Sequence, residues 1–559
     1  MQSSVMKKFI FILMTFNLNA QIDSLVKFNP PLEIPLIISA NFGELRPNHF
    51  HMGLDFKTNG REGVKILAIA DGYVSRIKIS PYGYGKVIYI NHPNGITSVY
   101  AHCSSLLGKL DSIVKLTQEK ESNFEIEIFL KEGDISLKKG ENFALSGNSG
   151  SSTAPHLHFE LRNTKTETAL NPLKFGFDII DNKAPEIKSL KIYGLTKEGY
   201  RINGKSKVLV VNKGKFGYYI AGDLVSIPSN FRASEGGIGF SFEVTDYYNQ
   251  AINPLGLYKS LLIVNKDTIF GQAIDSVSFD QTKYINTHSD YEEFKINKRK
   301  FQKSFKTQEN PLSFYLNNKN GLINIQPKDT FDIEYIAIDT KNNQSILKFK
   351  INMLNGDFCL LPLINSNYLC PTDNFNYKNE KISILIPEGC LYEPTLKNIE
   401  LKKDISIGQS IIPIQKPIKL SFKLNDNKYA PEKYYLASNS TFLNTKHNDG
   451  WLEADSKSLG KYSIQIDTIP PKIMPLNFLI TDTIINKETL KWKINDDKSS
   501  FADYDIFIDE KWGLLEYETK GSYVNYKRST DLIGKHLVKI ILKDNCQNIT
   551  IWEKELDFK

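Results

Sequence analysis

The sequence predicts a mainly β chain of several domains, with an antiparallel-sheet domain near the N-terminus followed by tandem β-sandwiches of immunoglobulin or fibronectin type. Three observations predict this. The chain has 559 residues, too many for one hydrophobic core and enough for about three to five domains. Aromatic residues make up 11%, with 27 Tyr and 33 Phe, a bias toward strands. Short alternating apolar runs bounded by Gly, Pro, Asn and Asp recur throughout, such as KVIYINH at 86–92, KSLKIYGL at 188–195 and GFSFEVTD at 239–246. Hydrophobic residues at 41% and charged residues at 24% are ordinary for globular domains. The net charge of +7 is spread without a dense Lys/Arg stripe, which argues against a nucleic-acid partner.

Taken in order, residues 1–20 read as an export signal. Lys7 and Lys8 precede an apolar run from Phe9 to Phe16, and Ala20 offers a small residue for cleavage before Gln21. That run is far shorter than the ~20 residues needed to span a bilayer, and no later segment is apolar enough to cross one. The expected product is exported, in the periplasm or cell envelope, with no transmembrane segment. Residues 21–40 lead in and end on the apolar PLIISA. Residues 62–103 read as successive strands, with Pro93-Asn94-Gly95 turning one hairpin. Residues 104–140 form an insertion with helical character at LLGKLDSIVKLTQEK, expected either to wall a groove or to decorate the surface. The chain then returns through KKGENFALSG to the stretch SGNSGSSTAPHLHFELR at 146–162.

That stretch is where chemistry concentrates. Residues two apart on a strand share a face, so His156 and His158 look into one space while Leu157 and Phe159 point into a core. Two imidazoles side by side are a metal site or an accident, and other residues decide. In HMGLD at 51–55, His51 and Asp55 converge whether the segment is extended or helical. Gly53 argues against a helix and leaves room for a close approach to the backbone. Tyr100-Ala101-His102 ends a strand. Six of the nine His precede residue 160, a clustering that scattered core histidines would not show. His92 reads as a surface residue beside the turn, and His288, His447 and His536 as structural or surface residues.

In this order, Phe42-Gly43-Glu44, HMGLD, Tyr100-Ala101-His102, the SGNSG loop and PHLHFE together resemble the M23 family of zinc metallopeptidases, the LytM- or lysostaphin-type peptidoglycan endopeptidases. The resemblance covers about residues 35–175, and FGELRPNHFHMGLDFKT and NPLKFGFDIIDN look like multidomain members from Bacteroidetes-type bacteria. It implies a LytM-like peptidase domain, Zn2+ as cofactor, His51, Asp55 and His158 as metal ligands, and His102 and His156 as the two catalytic, non-ligand histidines. It also implies the peptide part of peptidoglycan as substrate, with Ser149 to Thr153 shaping the groove floor. Some members add a Tyr shortly before the first His. Here ELRPNHF has none, so either Arg46 or His49 substitutes for it or nothing does.

After Asn171-Pro172-Leu173 the texture changes to short strands and polar turns. The expected division is a peptidase domain at 21–180, sandwiches at 181–355 and 356–465, and an immunoglobulin-like sandwich at 466–559. A turn rich in Asp and Asn followed by a strand occurs twice, in AIDTKNNQSILKF at 337–349 and LKDNCQNITIW at 542–552. No catalytic constellation is visible in these domains, which are expected to position the enzyme on the wall or on an envelope protein partner, or to restrain it. The competing reading is a non-catalytic envelope scaffold, activator or adhesion protein that keeps the M23 fold. The five Cys are odd in number and fit no zinc spacing. A pair among Cys359, Cys370 and Cys390 is open, and Cys103 reads as a small buried residue.

Overall fold

The computed structural model describes residues 28–359, 368–401, 405–426 and 428–559. The expected export signal lies outside the described residues. The chain is mainly β, as the alternating runs require.

In the first domain, β1 (Ile38–Ala40), β2 (Leu54–Lys57), β3 (Gly72–Ile79), β4 (Lys86–Asn91), β5 (Ile96–Ala101), β6 (Ile126–Phe129) and β7 (His156–Asn163) form an antiparallel sheet. Their spatial order is β1-β2-β7-β5-β4-β3-β6. β4 and β5 are the hairpin expected around Asn94-Gly95, with Asn91 opposite Thr97. Alternation along β7 sends Leu157 and Phe159 into the core at 0% exposure, where Phe159 meets Tyr100 edge-on at 5.3 Å. The insertion supplies α1 (Lys109–Glu121), which buries Leu110, Val114 and Gln118 on one face. It also supplies β6, whose Ile126 pairs with Ile79. It therefore extends the sheet by one strand beyond β3.

Three β-rich units follow. Each buries one core between two sheets, because strands that alternate apolar and polar residues have one face to hide. The first packs Ile192 and Phe242 against Ile333 and Tyr335, with the Phe242 and Tyr335 rings stacked at 3.6 Å. The second packs Ile384 and Leu420 against Ile407 and Leu436, and the third packs Trp492 against Val538 and Ile540.

The units are not strung out independently. Tyr248, Leu255, Ile274, Val277 and Phe314 join the same core as Phe50, Leu54 and Phe159. Ala169 pairs with Val277, and the Asn41 amide exchanges 2.8 Å hydrogen bonds with the Gly256 backbone in both directions. The C-terminal unit also folds back on the first domain. Lys86 pairs with Glu516 at 3.2 Å, Lys520 donates to the Asn148 carbonyl, and Leu514 packs against the first core.

Two expectations change. His92 is not a surface residue: it is 5% exposed, bonded to the Asp71 carbonyl at 2.9 Å and to Ser98 Oγ at 2.7 Å, because the turn folds its ring back under β5. Cys370 and Cys390 are free thiols, so no pair forms among Cys359, Cys370 and Cys390. Cys103 is fully buried, and burial raises its thiol to about 12, which makes it inert.

Gly53 shows how tightly β2 and β7 fit. A Cβ there would lie 2.4 Å from the Phe159 carbonyl oxygen and 2.8 Å from Glu160 Cγ, so the close approach to its backbone is made by the neighbouring strand. Gly53→Ala should destabilise the first domain by about 1–3 kcal/mol. Calorimetry of the full chain should show that domain's transition moving down while the C-terminal unit's stays.

Candidate metal centre

The site is built on the antiparallel pairing of β2 with β7, which sets Asp55 directly opposite His158. Asp55 Oδ1 lies 2.9 Å from His158 Nδ1. His51 approaches from the segment before β2, held where its N–H donates to the Glu44 carbonyl at 2.9 Å. Its Nδ1 donates to the Asn41 carbonyl at 2.8 Å. That bond leaves Nε2 as a lone pair, 3.1 Å from both Asp55 Oδ1 and His158 Nδ1. The three atoms form a triangle close to the separation of about 3.3 Å that tetrahedral ligands about 2.0 Å from a zinc ion require.

Charge supports the same fit. Against burial, Asp55 is held well below the usual carboxylate range by His51, His156 and His158. Burial opposes a charge on His158, yet Asp55 and Glu160 push its pKa up to about 9. The pocket therefore favours positive charge where the three donors meet, as a divalent cation would supply. Two imidazoles and one carboxylate are a donor set that suits zinc and leaves a fourth position open.

The two other histidines flank the triangle. His102 follows Ala101, which is opposite His158 in the β5–β7 register, and its left-handed φ of 61° turns it off the strand. Its Nδ1 donates to the Ser149 carbonyl at 2.8 Å, and its ring lies 4.8 Å from His156 and 5.9 Å from His158. Burial, then His158 and His156, push it down to about 3, so it is a neutral base. His156 is tied at Nδ1 to the Ala154 carbonyl at 2.8 Å, and its Nε2 lies 3.4 Å from Asp55 Oδ1. All five residues expected from the sequence are thus brought together. The Ser149–Thr153 loop does more than floor a groove, since Ser149 and Ser152 hold the two flanking rings. Of the two stand-ins before the first His, Arg46 reaches the site, 3.7 Å from Asp55 Oδ2. His49 is exposed and turns to the Pro47 carbonyl.

The sequence reading missed the support beneath His158. Its Nε2 donates to Glu160 Oε1 at 2.8 Å. Glu160 is fully buried, gripped by Arg162 Nε at 2.7 Å and by the Tyr84 hydroxyl at 2.5 Å. Burial alone would raise the Glu160 carboxyl, but Arg162 and His158 outweigh it and hold it at about 2. This carboxylate fixes the ring orientation that points Nδ1 to where the three donor atoms meet. The signal was available, because positions 156, 158, 160 and 162 share one face of β7 by parity. Tyr84, whose ring stacks on His158 at 5.2 Å, had no such signal.

Comparison with known proteins finds similarity in this part of the chain. The Peptidase family M23 profile matches residues 49–119. The N-terminal domain thus resembles peptidase family M23. A metalloprotease of uncharacterised role from Haemophilus influenzae is 34% identical over 146 residues, 26% of this chain and 23% of its own length. The DD-carboxypeptidase/endopeptidase Mpg of Neisseria meningitidis is 30% identical over 112 residues, 20% of each chain. This chain therefore spans less than a quarter of the length of these relatives. The lysostaphin catalytic domain of Staphylococcus simulans aligns at 27% identity over 25% of this chain and 91% of its own, with a TM-score of 0.19. A Zu5-like profile matches residues 366–467, which gives the second β-rich unit a likeness more specific than the immunoglobulin or fibronectin type expected.

Glu160→Gln removes the charge behind His158 while keeping the shape. Metal affinity, read by competition with a chromogenic chelator, should fall about 10- to 100-fold. The conservative Arg162→Lys should lose less.

Proposed function

We propose that the M23 domain is a zinc endopeptidase that hydrolyses peptide cross-links or stem peptides of peptidoglycan, and that the chain is exported to the periplasm or cell envelope. The observation that carries this is the convergence of five side chains: three donors within 3.1 Å of one another, flanked by two imidazoles whose Nδ1 atoms are already engaged. The peptidoglycan part rests on the similarity to the Neisseria DD-carboxypeptidase/endopeptidase.

In this reading His51, Asp55 and His158 hold the ion. When bound, zinc supplies a Lewis acid and a water acidified toward ~7. The protein's own groups do the rest. His102, neutral and locked by the Ser149 carbonyl, accepts a proton at Nε2 from the attacking water as general base. His156, fixed by the Ala154 carbonyl, turns its Nε2 edge toward the carbonyl oxygen on which negative charge grows. Arg46, at the same rim, adds positive charge where other members place a tyrosine. Glu160 and Tyr84 position the His158 ring without touching the substrate.

His158→Ala should lower bound zinc well below one per chain by elemental analysis. His102→Ala should keep its zinc while muropeptide cleavage falls roughly 10²-fold or more. Full zinc in the first variant, or cleavage near wild type in the second, would remove the assignment.

A second reading concerns the C-terminal unit, and the contacts of Glu516 and Lys520 with Lys86 and the Asn148 loop favour it. We infer that this unit restrains access to the groove in addition to positioning the enzyme. The double variant Glu516→Ala, Lys520→Ala removes two rim contacts. It should speed cleavage of soluble muropeptides by up to about fivefold, the factor that ~1 kcal/mol of surface ion pair represents. An unchanged rate leaves positioning alone.

A further inference from the structure

The repeated Asp/Asn turn has no part in the peptidase site, yet the fold uses it twice in the same way. Asp181, Asp246 and Asp339 bring carboxylate oxygens within 4.8 Å of one another, and so do Asp467, Asp496 and Asp544. The two clusters match residue by residue. Asp181 and Asp467 each lie in the linker that enters a sandwich. Each accepts the backbone N–H two residues on with its own Oδ1, from Lys183 and from Ile469. Asp246 and Asp496 each follow the end of a sandwich strand. Asp339 and Asp544 open the repeated turn, and each is bonded by an Asn four residues later. Asn343 donates to Asp339 Oδ2 at 2.7 Å and to the Asp181 carbonyl at 3.3 Å. Asn548 donates to Asp544 Oδ2 at 2.8 Å and to the Asp467 carbonyl at 3.2 Å.

Acidic clusters alone mean little, but here one oxygen is left over at each. Asp467 is 1% exposed, and its Oδ2 is buried with no hydrogen-bond partner. Asp181, itself only half-buried, also has an Oδ2 without a hydrogen-bond partner. A buried carboxylate oxygen without a partner is costly, and two more carboxylates beside it add repulsion. Burial, with Asp339 and Asp181, pushes Asp246 up to about 8. Burial first, with Asp467 and Asp544 adding to it, raises Asp496. A cation removes both costs. The donors are all oxygens, without His or thiolate, which suits a hard ion and not zinc. The set is irregular and part of it comes from a linker, which suits the flexible coordination of calcium better than the strict octahedron of magnesium.

We propose that the two carboxylate clusters are matched calcium sites, each clamping an interdomain linker to the sandwich that follows it. Calcium bound at Asp181 fixes the first sandwich to the peptidase domain. Calcium bound at Asp467 fixes the C-terminal unit, whose Glu516 and Lys520 meet the groove rim.

The test uses the full chain, stripped of divalent ions and reloaded with zinc, dialysed against radiolabelled calcium chloride. Affinities of extracellular calcium modules run at about 10⁻⁴–10⁻³ M, so the titration extends to several times that. The expected result is about two calcium ions per chain and a Tm rise of roughly 2–4 °C or more on saturation. Asp181→Asn and Asp467→Asn should each bind one, and the double variant none, with zinc content unchanged in all three. Asp467→Asn should also raise the Tm of calcium-free protein, since it relieves the crowded carboxylates. Asp496→Asn serves if that variant misfolds. No saturable calcium binding by the folded wild type, stoichiometry unmoved by the substitutions, or displacement of calcium by equal magnesium would overturn the proposal. Loss of zinc or cleavage with calcium binding intact would strike only the peptidase reading.

Discussion

The alignment of Asp55 with His158 across β2 and β7 is the constraint on which the first domain depends. A one-residue slip between these strands would turn every side chain on one of them to the opposite face and separate the carboxylate from the imidazole. The register is held from the core side by Leu157, Phe159 and Phe56, and from above by Gly53, which has no side chain to keep the strands apart. Packing therefore sets the site's geometry, and the donors inherit it.

The same strand buries charge at depth. Glu160 and Arg162 lie at 0% and 5% exposure, where an unpaired ion would be strongly destabilising. Here each has a partner, and the line Arg162–Glu160–His158 ends at the point where the donors converge. A buried ion pair adds little net stability in general. In this position it orients a ring, which accounts for its presence beneath a metal centre better than stability does.

The C-terminal units are coupled to the peptidase domain through contacts of different kinds. Residues 248–314 share its apolar core, so the first sandwich is part of the peptidase's own packing. The last unit returns by polar contacts to the rim, where Lys86 and Asn148 sit close to the loop that holds His102. Two linkers enter their sandwiches through matched carboxylate clusters. The relation between the first domain and the sandwiches is therefore set at a few junctions.

Much of this was legible in the sequence. The alternating runs gave the β class, the Asn94-Gly95 turn gave the β4–β5 hairpin, and parity on β7 placed His156 and His158 together with Leu157 and Phe159 behind them. The five site residues followed from the resemblance to the M23 family, which rests on short motifs around His51, Asp55, His102, His156 and His158 that are local in the chain. What was not legible depended on pairing between distant segments. That His92 tucks under β5, that Tyr84 stacks on His158, that Asn41 grips Gly256 and that Glu516 meets Lys86 follow from which surfaces find each other in three dimensions. The repeated Asp/Asn turn was visible as a repeat, but each carboxylate trio unites residues from a linker and two separate strand ends. Side-chain periodicity is a property of one strand, and a chain read by itself can report it. Convergence of three strands on one point is decided by sheet register and domain packing, which only the tertiary structure fixes.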